Sequence, residues 1–220
     1  MFAVPFSVRL NSGRLALALL PALLLWVAPA AHAQFGAPPT TPVHDGSALK
    51  PPPGARVAII EFEDLECPDC ARANPLLKDA ADQYHIPWIR HDFPLPMHSW
   101  SFQAAVNARY FDTRSQALGN EYRDTVFASQ ISIETPPQLQ QFTQRFADAH
   151  KIALPFAIDP MGKLAQEVKA DYALGQRIGI EHTPTIWIVT SAAHTAPFVE
   201  VVDRSKLFQL IDQAEAATRK

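Results

Sequence analysis

The sequence contains only two cysteines in 220 residues, Cys67 and Cys70. Small secreted domains that depend on disulfides carry four or more, so a stabilising disulfide framework is excluded. Two cysteines are also half of what a structural zinc site needs, and we expect no metal site. The net charge of −3 is close to neutral. Because neither basic patches nor internal repeats are visible, nothing favours nucleic-acid binding.

The N-terminal segment lacks acidic side chains, and the first one is Asp45. Two arginines precede an apolar stretch, residues 15–31, which runs into the small-residue site Ala31-His32-Ala33. This order predicts a signal peptide over residues 1–33, cleaved after Ala33, and export to the periplasm. An uncleaved membrane anchor is the alternative, disfavoured because the stretch is short and contains proline. No later segment is long and apolar enough to cross a membrane.

Residues 34–54 are rich in proline and show no apolar periodicity. This composition predicts a stiff, extended leader or linker. Roughly 165 residues then remain, which is enough for a domain with its own core. Within them, an apolar run from Val57 to Phe62 predicts a buried strand. Ile86 to Phe93 predicts a second strand, paired in parallel with the first through a helix that ends near Tyr84.

The second half of the chain is predicted to be mostly helical, from residue 99 to residue 179. Thr135-Pro136-Pro137-Gln138 is typical of a helix start, and Asp159-Pro160 is expected to open another helix. Two strands, Thr185–Thr190 and Pro197–Val202, then pair antiparallel, and a helix closes the chain. The order of elements predicts an α/β domain interrupted by a helical one.

The two cysteines form a C-x-x-C pair where the first strand meets its helix. Free N–H groups and the positive end of the macrodipole at a helix start stabilise a thiolate. Two thiols at this spacing close a small disulfide and reopen it by exchange. We therefore predict a dithiol–disulfide redox enzyme that needs no other cofactor, with Cys67 as nucleophile and Cys70 as the resolving thiol. A structural disulfide is the alternative, disfavoured by the strain of such a small bridge.

Four segments resemble the DsbA-like branch of the thioredoxin superfamily, whose members have a thioredoxin fold with an inserted helical domain. The resemblance implies a thioredoxin-like domain over residues 55–97 and 180–220, with a helical insertion over residues 98–179. The four segments are Glu61-Phe62 with Cys67-Pro68-Asp69-Cys70, the segment His91 to His98, the segment Gly179 to Thr185, and the closing helix after Asp203.

Glu61 is the charged exception in the first strand, where it shares a face with Val57 and Ile59. Burial beneath the helix should raise its pKa and let it accept the Cys70 proton. The family has an acidic residue six positions before its first cysteine, in agreement. A glutamate that reaches solvent at the strand edge is the alternative.

The resemblance implies a cis peptide bond between Thr183 and Pro184, in a loop that binds an extended substrate segment as an added strand. Pro68, Asp69 and His182 are the expected redox-tuning residues. Relatives often carry His, Tyr or Phe in place of Asp69 and Gly in place of His182. A solvated carboxylate near the Cys67 sulfur is worth roughly 0.5–1 kcal/mol. It should raise the thiol pKa and weaken the oxidant unless a protonated His182 offsets it.

The favoured function is an exported, monomeric oxidoreductase that passes its disulfide to unfolded or newly exported cysteine-containing proteins. The resemblance implies a membrane-bound partner that regenerates the disulfide. Three alternatives stay open. The same chemistry can run in reverse, as in a reductase or isomerase, which Asp69 mildly favours. The two cysteines and a histidine can hold Cu(I), which prefers soft ligands. Finally, the protein can be a chaperone-like peptide binder whose disulfide is incidental.

Overall fold

A computed structural model of the chain describes residue 2, residues 40–193 and residues 195–219. The predicted signal peptide and the first residues of the leader lie outside this part. Two short segments of the chain form single 3₁₀ turns, Gln130–Ser132 and Arg204–Lys206. The strands and α-helices are β1 (Val57–Glu63), α1 (Pro68–Tyr84), β2 (Trp88–Asp92), α2 (Ser101–Asp112), α3 (Gln116–Ser129), α4 (Pro136–Ala149), α5 (Lys163–Ile178), β3 (Thr185–Thr190), β4 (Phe198–Glu200) and α6 (Leu207–Ala217).

The four strands form one mixed sheet in the order β2-β1-β3-β4. Strands β1 and β2 are parallel, with Ile59 opposite Trp88. Strand β3 runs antiparallel to both β1 and β4. The predicted parallel pair and the predicted antiparallel neighbours are therefore confirmed. So is the fold class, an α/β fold with a helical insert formed by α2, α3 and α4.

Strand β1 is buried along its whole length, and its two faces contact different helices. Val57 and Ile59 pack with residues of α1 and α6 in one apolar cluster. Ala58, Ile60 and Phe62 pack on the opposite face, with residues from β3 and the C-terminal end of α5. The sheet is thus covered on both sides, which explains why β1 reads as a continuous apolar run.

Helix α5 joins the helical insert to the sheet. Its first half packs into the core of the insert through Leu164 and Val168. Its second half approaches the sheet so closely that a Cβ added at Gly175 would lie 2.6 Å from the Phe93 ring. Only glycine fits this contact without displacing the ring. A residue with a side chain at this position would push α5 away from the sheet.

The predicted start of α5 is wrong by several residues, whereas the predicted start of α4 is confirmed. Thr135 caps α4, since its side chain accepts a hydrogen bond from the Gln138 N–H. Helix α5 begins at Lys163, after Gly162, rather than at Asp159-Pro160. Asp159 lies outside the helix and its carboxylate accepts from the Ala165 N–H at 2.8 Å. It therefore acts as the cap of a helix that starts later.

The described part of the proline-rich leader, residues 40–54, has neither helix nor strand but packs against the domain. Leu49 is 1% exposed and belongs to the cluster on the α5 face of the sheet. Thr41 donates from its backbone and its hydroxyl to the Glu200 carboxylate, at 2.6 and 2.9 Å. The His44 N–H donates to the Ile178 carbonyl. We therefore find the second half of this segment fastened to the fold, which differs from the expected extended leader.

Buried charges connect the sheet to the helical insert. Arg123 of α3 is 1% exposed and binds Asp112 through two hydrogen bonds, at 2.9 and 2.8 Å. Arg109 of α2 donates to Asp92 of β2 at 2.6 Å. Leaving any member of such a network without its partner is costly, so the network fixes the insert against the sheet. Among the described residues, we find no helix of sufficient length and apolar character to span a membrane.

Candidate active site

The two cysteines lie at the N-terminus of α1, as free thiols. Cys67 is the N-cap residue and Pro68 occupies the first turn, where a missing N–H costs nothing. Cys67 is 7% exposed and Cys70 is fully buried. The Asp64 N–H points at the Cys70 sulfur, at 3.4 Å. Cys67 is thus the outer thiol and Cys70 the inner one. The roles of nucleophile and resolving thiol stay predictions.

The pKa values of the two thiols move in opposite directions. The pKa of Cys67 is lowered from 9.0 to about 5, chiefly by its hydrogen bond with Cys70, and further by the Thr183 hydroxyl and first-turn N–H groups. The pKa of Cys70 is raised well above its ordinary value, first by burial and then by the hydrogen bond with Cys67 and the charge of Glu61. Near neutral pH, the pair therefore holds one thiolate, on Cys67, and one proton, on Cys70.

Thr183 and Pro184 face the dithiol. The peptide bond between them is cis. The Cys67 thiol donates to the Thr183 carbonyl at 3.3 Å, across 116 positions of sequence. The Thr183 hydroxyl oxygen is buried and has no partner within the described part of the chain. It is therefore free to donate to the sulfur when Cys67 is a thiolate.

Glu61 lies on the β1 face that α1 covers, with 1% of its surface exposed. One carboxylate oxygen accepts from the Trp88 indole N–H at 3.0 Å. The other has no hydrogen-bond partner among the described residues. Burial, followed by the charge of Glu63, raises the pKa of Glu61 well above its ordinary value. The alternative of a solvent-exposed Glu61 is therefore wrong, because β1 lies between β2 and β3 and the residue is buried.

Asp69 does not carry the isolated negative charge that the sequence led us to expect. Arg72, one turn later in α1, donates to its carboxylate at 3.2 and 3.0 Å. Arg204, from the 3₁₀ turn before α6, donates to the same carboxylate at 2.6 Å. These hydrogen bonds and charges hold the pKa of Asp69 below its ordinary value, against the effect of burial. Two guanidinium groups, rather than the His182 imidazole, therefore contact the Asp69 carboxylate.

His182 is exposed. With Asp69, Pro184 and Arg204 it lines a cavity of about 230 Å3. Its backbone carbonyl accepts from the Thr185 hydroxyl at 2.7 Å. The structure brings together Cys67, Cys70, Thr183, Pro184 and Asp69, with Glu61 beneath them.

Sequence reasoning missed two carboxylates in the turn before the cysteines. Glu66 accepts from the Trp100 and Ser101 N–H groups at the start of α2, at 2.6 and 3.0 Å. Asp64 is buried and accepts from the Leu95 N–H and from His98. They fasten the active-site turn to the segment that enters the insert. The sequence shows that both carboxylates come just before the C-x-x-C pair. It does not show which groups donate hydrogen bonds to them.

The helical insert also contacts the active-site turn directly. The Gln130 amide donates to the carbonyls of Leu65 and Cys67, at 2.9 and 3.1 Å. Both cysteines pack in the same apolar cluster as the core of the insert. In the part of the chain that the structure describes, no group of three or more His, Cys, Asp and Glu side chains is placed to hold a metal ion. The arrangement suits thiol chemistry.

Solved structures of known proteins share this fold. The α-DsbA1 protein of Wolbachia pipientis matches with a TM-score of 0.61 and 18% identity, over 77% of this chain and 91% of its own. The thiol-disulfide exchange protein α-DsbA2 of the same organism matches with a TM-score of 0.59 and 16% identity, over 74% and 84% of the two chains. Pseudomonas aeruginosa DsbA2 gives a TM-score of 0.56 and 21% identity, over 74% and 91%. The predicted resemblance to DsbA-like proteins is confirmed by these matches at the level of the fold.

No curated protein sequence matches the chain. A family model described as thioredoxin, however, matches residues 52–203. The matched range is well over half of the chain, and it contains both cysteines, all four strands and the complete helical insert. The chain therefore belongs to the thioredoxin family, as an oxidoreductase whose C-x-x-C pair is Cys67 and Cys70.

Proposed function

We propose that this protein is an exported oxidant of protein thiols. The direction is supported by the place of Cys67 at the N-terminus of α1, beside Cys70 and Thr183, where its surroundings lower its pKa to about 5. A thiolate that is stable at neutral pH stabilises the reduced enzyme, and a stabilised reduced form makes the disulfide form a stronger oxidant. The reductase or isomerase alternative drew on an uncompensated Asp69, and the hydrogen bonds from Arg72 and Arg204 remove that argument.

In the proposed reaction, a substrate thiolate attacks the Cys67 sulfur of the oxidised pair. A mixed disulfide forms, the Cys67–Cys70 bond breaks, and its electron pair leaves on Cys70, which takes a proton from Glu61. A second substrate thiolate then attacks the substrate sulfur of the mixed disulfide and releases Cys67 as a thiolate. Two substrate thiols are thus oxidised to a disulfide while the enzyme disulfide is reduced to one thiol and one thiolate.

Glu61 works in both directions of this scheme. When Cys70 attacks a mixed disulfide during reoxidation, Glu61 takes the Cys70 proton back. Its burial and raised pKa support the role, because a buried carboxyl of raised pKa holds a proton more readily than a solvated one. Its influence on the pKa of Cys70 also supports it, since two groups that affect each other electrostatically lie close together.

The loop at Thr183 and Pro184 is proposed to bind the substrate next to the attacking sulfur. The contact between the Cys67 sulfur and the Thr183 carbonyl, at 3.3 Å, supports this place. An extended segment can pair there with the backbone, as an added strand does. We propose unfolded or newly exported cysteine-containing proteins as substrates. A membrane-bound partner is proposed to reoxidise the pair, and the exported compartment follows from the predicted signal peptide.

The test is the reduction potential of the Cys67–Cys70 pair in the exported form, residues 34–220, equilibrated against glutathione mixtures. We expect a value above about −170 mV, toward the oxidant end of the scale for thiol–disulfide proteins. A value below about −220 mV would mean that the chemistry runs in the reducing direction. A Cys67→Ser variant is the control. If it retained activity on reduced substrate protein, peptide binding rather than exchange would be the function.

A further inference from the structure

Arg204 reaches the active-site turn from the far end of the chain. Its guanidinium makes two contacts with Asp69, which lies 135 positions earlier. One nitrogen donates to the side-chain carboxylate at 2.6 Å and another donates to the backbone carbonyl at 3.1 Å. Asp69 itself lies between the two cysteines. The fork of one arginine therefore holds both the charge and the backbone of the dipeptide that separates the reacting sulfurs.

The other charged groups near Asp69 are less suited to this task. Arg72 binds the same carboxylate but its side chain is 67% exposed, against 33% for Arg204. Glu200 lines the same cavity, but its carboxylate accepts two hydrogen bonds from Thr41. His182 is on the rim of the cavity and is exposed. Arg204 is thus the least solvated cation that contacts Asp69.

We propose that Arg204 is a positioning residue for disulfide exchange, which neutralises the Asp69 carboxylate and thereby keeps the Cys67 thiolate stable. The proposal rests on the proposed function, because it concerns the equilibrium of the same pair. Position 69 carries a carboxylate in the first turn of α1, where an unpaired negative charge would oppose a second one on the neighbouring sulfur. Arg204 and Arg72 together offset that charge, and Arg204 is the less exposed of the two.

The expected change in the Cys67 pKa follows from the negative charge on Asp69 that loss of Arg204 would leave less well compensated. A partly solvated charge at several ångströms shifts a pKa by roughly half a unit. Since the pKa of Cys67 is about 5, a rise of that size makes the thiolate roughly threefold less stable at neutral pH. The equilibrium constant of the pair with glutathione changes by the same factor. In a two-electron couple this corresponds to a potential about 14 mV more reducing.

The experiment measures the reduction potential and the Cys67 pKa for five variants of the full exported chain. Arg204→Gln removes the cation, and Arg204→Lys keeps the charge but loses the fork. Lys206→Gln is the matched control, because it removes the same charge two positions away, from a side chain that is 63% exposed and contacts Asp203 rather than Asp69. Asp69→Asn, alone and combined with Arg204→Gln, removes the charge that Arg204 is proposed to neutralise.

We expect Arg204→Gln to raise the Cys67 pKa by about half a unit and to shift the glutathione equilibrium about threefold toward the reducing side. Arg204→Lys should recover most of the change and Lys206→Gln should show none. In the Asp69→Asn background, Arg204→Gln should have a smaller effect, because there is no carboxylate left to uncover. An equal shift from Lys206→Gln, or an undiminished shift in the Asp69→Asn background, would refute the proposal while leaving a reversible couple intact. The absence of any reversible couple in the unmodified protein would overturn the proposed function as well.

Discussion

The Cys67 thiolate should make the stability of the reduced protein depend on pH. Cys67 is an acid whose pKa is lowered from 9.0 to about 5 in the folded, reduced state. Its contribution is therefore complete above the unfolded pKa and is lost as the pH falls through the folded pKa. The oxidised protein has no thiol at this position. Between about pH 5 and pH 8, the free energy of unfolding of the reduced form should thus rise relative to that of the oxidised form.

The magnitude follows from the interval between the folded pKa and the working pH. Each unit is worth about 1.36 kcal/mol, so at about pH 7 the stabilisation is roughly 2.7 kcal/mol. In a two-electron couple, this free energy corresponds to a potential raised by roughly 60 mV. The difference between thioredoxin and the strongest known oxidants of this type is about 150 mV. The thiolate alone would therefore account for a large part of an oxidising potential.

The assay is urea unfolding of the oxidised and reduced forms at a series of pH values, with the alkylation rate of Cys67 measured in parallel. The difference between the two free energies of unfolding should grow by about 1.4 kcal/mol per pH unit, and alkylation should show a midpoint near the folded pKa. A Cys67→Ala variant cannot form the disulfide, and its free energy of unfolding should follow the pH dependence of the oxidised form. A difference that stays flat over the whole range would refute the argument that the reduced state is stabilised by a thiolate.

Three further predictions concern the buried charges. Glu61→Gln should slow resolution of the mixed disulfide by Cys70 about 10²-fold, measured by rapid quenching, because it removes the proton acceptor; an unchanged rate would rule out the role. Trp88→Phe removes the N–H that donates to the Glu61 carboxylate at 3.0 Å. The pKa of Glu61 should therefore rise, and the pH profile of resolution should shift to higher pH. A shift to lower pH would contradict this. Arg123→Met should lower the free energy of unfolding by about 3–5 kcal/mol, since it removes a buried cation that binds Asp112 and lies near Glu63. A loss below about 1 kcal/mol would show that the network relaxes.

The parts of the fold that could be predicted from sequence depend on local patterns. A run of apolar residues marks β1 and β3 because both are buried on two faces. The C-x-x-C pair marks the start of α1 because the N-terminus of a helix stabilises a thiolate. The start of α5 was misplaced for a related reason. The Asp159 carboxylate accepts a hydrogen bond from the N–H of Ala165, six residues later. A side chain that caps a helix from outside its first turn does not mark the first helical residue by a fixed spacing in sequence.

The environment of Asp69 could not be predicted, because it depends on contacts between distant parts of the chain. Arg72 lies three residues away at helical spacing, so this partner was visible in principle. Arg204 is 135 positions away, and no periodicity connects the two. The sequence argument treated Asp69 as an unpaired carboxylate. Its negative charge was correct, but its two arginine partners were not foreseen. Sequence reasoning therefore missed the second cation at this carboxylate.

The choice of Glu61 over Glu63 as proton acceptor follows from their different partners. Both are buried on the same face of β1, two residues apart. Glu63 accepts three hydrogen bonds from Arg90, at 3.1, 3.0 and 2.8 Å, and Arg123 lies 3.5 Å away. Burial raises the pKa of Glu63, but the two arginines oppose it. Glu61 has a single neutral donor, so burial and the neighbouring charge on Glu63 raise its pKa much further. Two carboxylates with separated pKa values can divide their roles. Glu63 binds the arginines, whereas the higher pKa of Glu61 supports its proposed role as the proton acceptor.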